Sequence, residues 1–131
     1  MNCLFDSSAI FRLVRDNRVE LLIGGHTTNL AQYEVGNIFW KEVRLHKRMN
    51  EQEAKRLLSI ACKAISAIDV REVINEQDVL GIALSLGASF YDASYLYEAT
   101  RLEIPFVTDD AKLKGKAGKV IETMLVDEIL K

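Results

Sequence analysis

Four acidic side chains stand where solubility alone does not explain an acid. Asp6 closes a short apolar run, Asn2 to Phe5, and Asp110 follows the apolar run Ile104 to Val107 by way of Thr108 and Asp109. Glu34 sits among Leu30, Tyr33 and Ile38 on a helical stretch, and Asp92 interrupts the aromatic-rich run Phe90 to Tyr97. A carboxylate on or beside an inward face is costly to bury without a partner. Local explanations exist for three of them: Asp6 as a plain N-cap, Asp92 as the acid of a Ser89-x-x-Asp92 capping box, and Asp110 as an anion at the positive end of its helix. Glu34 has no capping role to play. Brought together, such acids repel by up to about 4 kcal/mol per close pair at an effective dielectric near 20, which a marginally stable domain does not carry uncompensated. A divalent cation compensates it. All the candidate ligands are oxygens, with no His or Cys among them, which favours Mg²⁺ or Mn²⁺ over Zn²⁺. A metal held by carboxylates and water serves phosphate chemistry, polarising the phosphoryl oxygen, activating an attacking water and steadying the leaving oxygen.

Convergence requires particular elements. The run Asn2 to Phe5 reads as a strand, and Ser7 to Val14 carries Ile10, Leu13 and Val14 at helical spacing. Val19 to Ile23 is a short apolar piece stopped by Gly24-Gly25, after which Thr27 and Thr28 offer N-cap hydroxyls to a helix from about Leu30 to Arg48. Asn50 and Glu53 have capping-box spacing ahead of the stripe Ala54, Leu57, Leu58, Ala61, Ile65. A short strand is expected near Ala67 to Val70, a helix capped by Asn75 and ending at Gly87, and a further helix over Ser89 to Arg101. Ile104 to Val107 reads as a strand with its proline near the start. A Lys-rich helix, a short strand at Lys119 to Ile121 and a helical tail complete the chain. Strands alternating with helices predict a parallel sheet covered on both faces, with ligands at the carboxyl ends of the strands. If the strands before Asp6 and Asp110 are neighbours, both acids meet at one edge.

Composition sets outer bounds. The chain has 131 residues, 49% hydrophobic and 27% charged, with one proline and seven glycines. That fits one globular domain over residues 1–131 and excludes disordered, collagen-like and disulfide-scaffold classes. The longest nearly apolar stretch, Val79 to Ala88, falls short of the roughly 18 residues of a spanning helix, and the opening residues are too few for a signal peptide. A soluble, cytoplasmic protein without membrane attachment is expected. Cys3 and Cys62 have no partners at zinc or redox spacing and read as buried thiols. The formal net charge of −2 gives no bulk electrostatic reason to bind nucleic acid. Such binding needs a local basic surface or a bound metal.

On these motifs the sequence resembles the PIN-domain ribonucleases, and most closely the VapC-type toxins of prokaryotic toxin–antitoxin pairs. Leu4-Phe5-Asp6-Ser7-Ser8 is similar to the family's first strand and its aspartate, Tyr33-Glu34-Val35-Gly36-Asn37 to its helical glutamate motif, Phe90-Tyr91-Asp92-Ala93-Ser94-Tyr95 to its third acidic motif and Phe106-Val107-Thr108-Asp109-Asp110 to its fourth. The resemblance covers nearly the whole chain and implies a three-layer α/β/α sandwich with a central, mostly parallel sheet of four to five strands. It implies that Asp6, Glu34, Asp92 and Asp110 bind Mg²⁺ or Mn²⁺ and activate water for attack on an RNA phosphodiester, leaving a 5′-phosphate. Asp110 is preferred to Asp109 by the Thr-x-Asp pattern and by the alternation of an extended segment. Ser7, Asn37, Thr108 and Asp109 fall in supporting or substrate positions. The implied partners are RNA, a VapB-type antitoxin and a second copy of the chain.

Arg12, Arg15, Lys41, Lys112 and Lys114 are candidates for tracking a phosphate backbone beside the acids. As solvated helix faces they have an ordinary explanation too. His26 and His46 lack a nucleophilic partner at any motif spacing, and Tyr33, Phe39, Trp40, Tyr91, Tyr95 and Tyr97 read mainly as packing residues, with Tyr95 one turn from Asp92. Two alternatives to a toxin nuclease follow from the same residues: a PIN nuclease of RNA processing, and a non-catalytic Mg²⁺-binding receiver-like module. The second fits poorly, because Lys112 lies inside the helix after Asp110.

Overall fold

The computed structural model describes residues 1–131. The elements run β1 (Leu4–Phe5), α1 (Ser7–Arg15), a 3₁₀ turn (Val19–Leu22), β2 (His26–Thr28), α2 (Ala31–Arg44), α3 (Glu51–Ser66), β3 (Asp69–Arg71), α4 (Glu76–Leu86), α5 (Phe90–Leu102), β4 (Phe106–Thr108), α6 (Ala111–Ala117), β5 (Thr123–Leu125) and α7 (Val126–Ile129). The five strands form one sheet in the order β3-β2-β1-β4-β5, every neighbouring pair parallel. The chain winds outward from β1 to β3 and then crosses back to β4, so the strand order reverses between β1 and β4. In open parallel sheets that reversal opens the crevice where ligands bind.

Residue alternation along the strands builds the three layers. Phe5 and Val107 join the core made by α1, α2 and α3, whereas Leu4 and Phe106, one position away, face Tyr95, Leu96 and Ala99 of α5 and Leu113 and Ala117 of α6. Leu4 is in register with Phe106 and Phe5 with Val107. Asp6 and Thr108 therefore extend the pairing by one step, on the face shared with Leu4 and Phe106. That is the α5 side, where Asp92 begins its helix.

Several local expectations shift. The apolar piece Val19 to Ile23 is a 3₁₀ turn, and the second strand is the polar His26–Thr28. Thr27 is held in the strand by donating its hydroxyl to the Phe5 carbonyl at 2.7 Å, leaving only Thr28 to accept from the Leu30 amide near the start of α2. The helix itself stops at Arg44, short of Arg48. The last strand lies at Thr123–Leu125 instead of Lys119–Ile121, because α6 runs to Ala117 and its closing turns use the amides of Lys119, Val120 and Ile121. Asn50 caps α3 as expected, but Asn75 makes no side-chain cap to α4. Gly87 closes α4 at φ +65°, a left-handed conformation that glycine adopts without strain. Cys3 is buried, but Cys62 is exposed, on the outer face of α3. Phe39 packs edge-on to Phe11 with ring centroids 4.9 Å apart, whereas Trp40, Tyr33 and Tyr91 lie outside the core. No single helix is long and apolar enough to cross a membrane; α4 and α5 reach that length only as a pair bent by 110°.

Candidate active site

Asp6 is the best-defined acid of the site. It is 3% exposed and caps α1 by accepting the Ala9 amide at 2.9 Å. Two hydroxyls fix its carboxylate: Ser8 donates to Oδ1 at 2.8 Å and Thr108 to Oδ2 at 2.6 Å. Each hydroxyl also accepts from the segment after β4, Ser8 from the Asp109 amide at 2.9 Å and Thr108 from the Asp110 amide at 3.2 Å. The carboxylate at the end of β1 is thus stitched to the strand end beside it. Burial pushes its pKa up to about 7 against these donors, with the charge of Asp92 adding to the rise.

Glu34 lies in the first turn of α2 and Asp92 in the first turn of α5, where the Ser89 hydroxyl accepts the Asp92 amide at 3.0 Å. Asp110 caps α6, accepting from the amides of Lys112 at 2.9 Å and Leu113 at 3.1 Å. All four acids sit at or within the first turn of a helix, where the macrodipole favours an anion. The local explanations hold as well: Asp6 is a genuine cap, Asp110 caps α6 at its positive end, and Ser89 makes its half of the capping box with the Asp92 amide.

The charges nevertheless act on one another. Burial raises the pKa of Glu34, with the Asp92 charge contributing, and raises that of Asp92, with Asp110 contributing. Asp92 therefore acts electrostatically on both Asp6 and Glu34 and feels Asp110 in turn. Tyr95, fully buried on α5, donates its hydroxyl to Glu34 Oε1 at 2.6 Å. Burial first, then the hydrogen bond to Glu34 and the charges of Glu34 and Asp6, hold the phenol proton on. The acids do not yet form a closed shell: no three His, Cys, Asp or Glu side chains are gathered tightly enough to hold a metal ion. Their chemistry still fits a hard divalent cation. The donors are all oxygens, and the buried Asp6 is met by neutral hydroxyls, an amide and another acid.

The supporting residues divide. Ser7, Glu34, Asn37 and Lys41 line one cleft. Asp109 points away from the other acids, to Arg12 on α1 at 2.9 Å. Arg12, expected to face RNA, instead engages three carboxylates at once: Asp16 at 2.7 Å, Asp109 at 2.9 Å and Asp127 at 2.7 Å. Arg15 pairs with Asp16 and lies over the Phe11 ring, and Lys114 pairs with Glu128. Lys41 and Lys112 carry no acid partner. Lys116, on the same Lys-rich helix as Lys112, donates to the Gly87 carbonyl at 2.7 Å and favours the charged form of Asp92. Sequence reasoning also passed over Ser8, although its place two residues after Asp6 is a recognisable cap-supporting position.

No protein-family model matches the chain. Two known proteins of Pyrobaculum aerophilum do. The exonuclease VapC9 is 37% identical over 131 residues, with 94% of this chain and 92% of that protein covered. The ribonuclease VapC3 is 32% identical over 127 residues, covering 88% and 95% respectively. The crystal structure of PAE2754 from the same organism matches at a TM-score of 0.81 and 32% identity, covering 99% of this chain and 94% of that one.

Proposed function

The chain belongs to the VapC family of PIN-domain nucleases, and from that premise we propose that it is a metal-dependent endoribonuclease, the toxin of a VapBC-type pair, acting in the cytoplasm as one domain over residues 1–131. The observation that carries this reading is Asp6: a carboxylate buried at the sheet's switch point, held by two hydroxyls and an amide, with Asp92 as its charged neighbour. A structural acid so placed would have a cation beside it.

Asp6, Glu34, Asp92 and Asp110 would hold Mg²⁺ or Mn²⁺, which when bound neutralises the acids, activates water and stabilises the leaving oxygen of a phosphodiester. Ser8 and Thr108 keep the Asp6 carboxylate from turning, and Tyr95 does the same for Glu34. Ser7 and Asn37, on the rim of the cleft that Glu34 lines, are placed to touch substrate. Lys41 and Lys112, free of acid partners, attract the phosphate backbone. Hydrolysis breaks the P–O3′ bond, water supplying the hydroxyl retained on the 5′-phosphate and the proton taken by the 3′ oxygen. A VapB-type antitoxin is the expected partner. The exposed Leu80 and Leu84 on α4, with Ile74 just ahead of that helix, give a second copy an apolar face to cover.

The two relatives carry different names, one an exonuclease and one a ribonuclease, so the mode of cutting is the point to test. A circular single-stranded RNA is opened by an endonuclease and untouched by an exonuclease. We expect Mn²⁺-dependent opening, abolished by EDTA, with 5′-phosphate at the new ends. Degradation confined to linear RNA would replace the endonuclease reading with an exonuclease, and activity unaffected by EDTA would remove the metal.

A further inference from the structure

Beside Glu34 lies a cleft of about 470 Å³ whose lining includes Ser7, Tyr33, Asn37, Lys41 and Tyr91. Its size is that of a small-ligand site. Tyr33, Asn37 and Lys41 recur every four residues on α2 and so form one stripe up the helix, starting next to the Glu34 carboxylate and ending about 12 Å away at a lysine with no acid partner. Tyr91 enters from α5, one residue before Asp92. Two tyrosines from different helices thus flank a single cleft, and both are conspicuously open to water, Tyr33 at 73% and Tyr91 at 57%. Neither ring belongs to the hydrophobic clusters. Tyr95, by contrast, is buried with its hydroxyl committed to Glu34.

We propose that this cleft is a nucleobase subsite, in which Tyr33 and Tyr91 stack on one unpaired base of the RNA next to the scissile phosphate, Asn37 meets the base edge and Lys41 takes the adjoining phosphate. The inference rests on the nuclease reading above and adds how the substrate is held: one unpaired base seated between Tyr33 and Tyr91 beside the cut. Aromatic side chains with free faces bind unstacked bases of any identity, whereas a base inside a helix offers neither face. The amide of Asn37 offers both a donor and an acceptor to a base edge. The same cleft contains Glu34, so whatever enters it lies beside that acid, and Lys41 favours an occupant that carries negative charge. RNA offers that charge together with a flat aromatic face, and an apolar protein segment offers no charge.

The test uses a single-stranded oligoribonucleotide carrying 2-aminopurine, bound to the full-length Asp92→Asn chain so that it is not cut. Stacking should quench the fluorescent base on binding. Tyr33→Ala and Tyr91→Ala should each weaken binding by roughly 5- to 100-fold and lose the quench, while Tyr33→Phe and Tyr91→Phe should retain both. A fully paired duplex of the same sequence should bind at least about tenfold more weakly than the single strand. Unchanged affinity and quench in both alanine variants, or equal binding of the duplex, would overturn the subsite. If the unsubstituted chain cuts RNA while binding ignores both tyrosines, the subsite fails and the nuclease reading stands. Tyrosine-dependent binding without any cleavage would sustain the subsite and remove the nuclease.

Discussion

Glu98 and Asp6 are both withdrawn from water, and the chain deals with them in opposite ways. Glu98, on the inner face of α5, accepts from Arg101 at 2.8 Å and has Arg71 of β3 at 3.8 Å, with only Oε1 left without a hydrogen-bond partner. Glu42 on α2 is likewise buried and answered by Arg48 at 2.5 Å. Asp6 receives hydroxyls and an amide, and its charged neighbour is another acid. An acid matched to a cation has its charge cancelled inside the fold. One matched to neutral donors keeps its charge available at the edge where β1 and β4 part. The kind of partner, more than the degree of burial, separates the acids that hold the fold from those that do chemistry.

The hardest test of that contrast is to neutralise Asp92, through which the other acids are coupled. Asp92→Asn should lower metal-dependent RNA cleavage by on the order of a thousand-fold and weaken Mn²⁺ binding in calorimetry, with a thermal midpoint unchanged or higher because like charges no longer face one another. Asp6→Asn should weaken Mn²⁺ binding in the same way. A large fall in midpoint with Mn²⁺ affinity intact would place Asp92 among the structural acids, as the capping partner of Ser89.

Acidity gives the next effect. The ordinary carboxyl pKa of Asp6 is 3.8 and burial lifts it to about 7 in the folded chain. Between those values the folded state binds the extra proton, so metal-free stability should fall as pH rises from about 4 to about 7. The shift corresponds to at most about 4 kcal/mol, on the order of 10 °C in midpoint. Glu34 and Asp92 are raised as well and act in the same direction. Asp16 and Asp69, held down by Arg12 and His26 against the effect of burial, act oppositely and only toward the acid end. Thermal scans of wild type and Asp6→Asn across this window should converge near pH 4 and separate by pH 7, the variant being the more stable. Parallel curves would mean that Asp6 is not the strained group.

Glu98→Gln probes the other side. Removing the Glu98 charge strands Arg101 and leaves Arg71 with Asp69 alone at 3.3 Å, and since both guanidiniums retain partial exposure the cost should be at most about 3 kcal/mol. Urea unfolding should report that loss while the cleavage rate per folded molecule stays unchanged. Reduced cleavage at full stability would join Glu98 to the active site and dissolve the distinction.

Much of this was legible from residue order. Asp6 and Asp110 each follow an apolar strand, and β1 and β4 are neighbours in the sheet, the condition on which their approach depended. Asp109 turns to Arg12, while Asp110 acts on Asp92, which supports Asp110 as the proposed ligand. What stayed hidden depends on contacts far apart in sequence. β2 is polar, and its place in the sheet rests on Thr27 bonding the Phe5 carbonyl and on pairing with β3, neither of which leaves a periodic mark. Arg71 lies 27 positions from Glu98, so their approach has no local signature. Exposure of Tyr33 and Tyr91 was hidden for a related reason: helical spacing shows that a residue shares a face, not whether anything covers it.

Tyr95→Phe gives the smallest and most discriminating effect. The phenol ring is fully buried whichever role it has, so packing survives the substitution, and only the 2.6 Å hydrogen bond to Glu34 is lost. Losing one such bond should cost about 1 kcal/mol of stability. If neutral donors are what hold the functional acids in place, Mn²⁺ affinity should also fall by about 10- to 100-fold, as it does when a group orienting a ligand is removed. Binding of RNA to the metal-free protein should not change, because the Tyr95 hydroxyl is directed at Glu34 and not into the cleft lining. Unaltered Mn²⁺ affinity would make Tyr95 a packing residue that happens to end beside Glu34, and would confine the role of neutral donors to Asp6, held by the Ser8 and Thr108 hydroxyls and the Ala9 amide, and to Asp110, held by backbone amides.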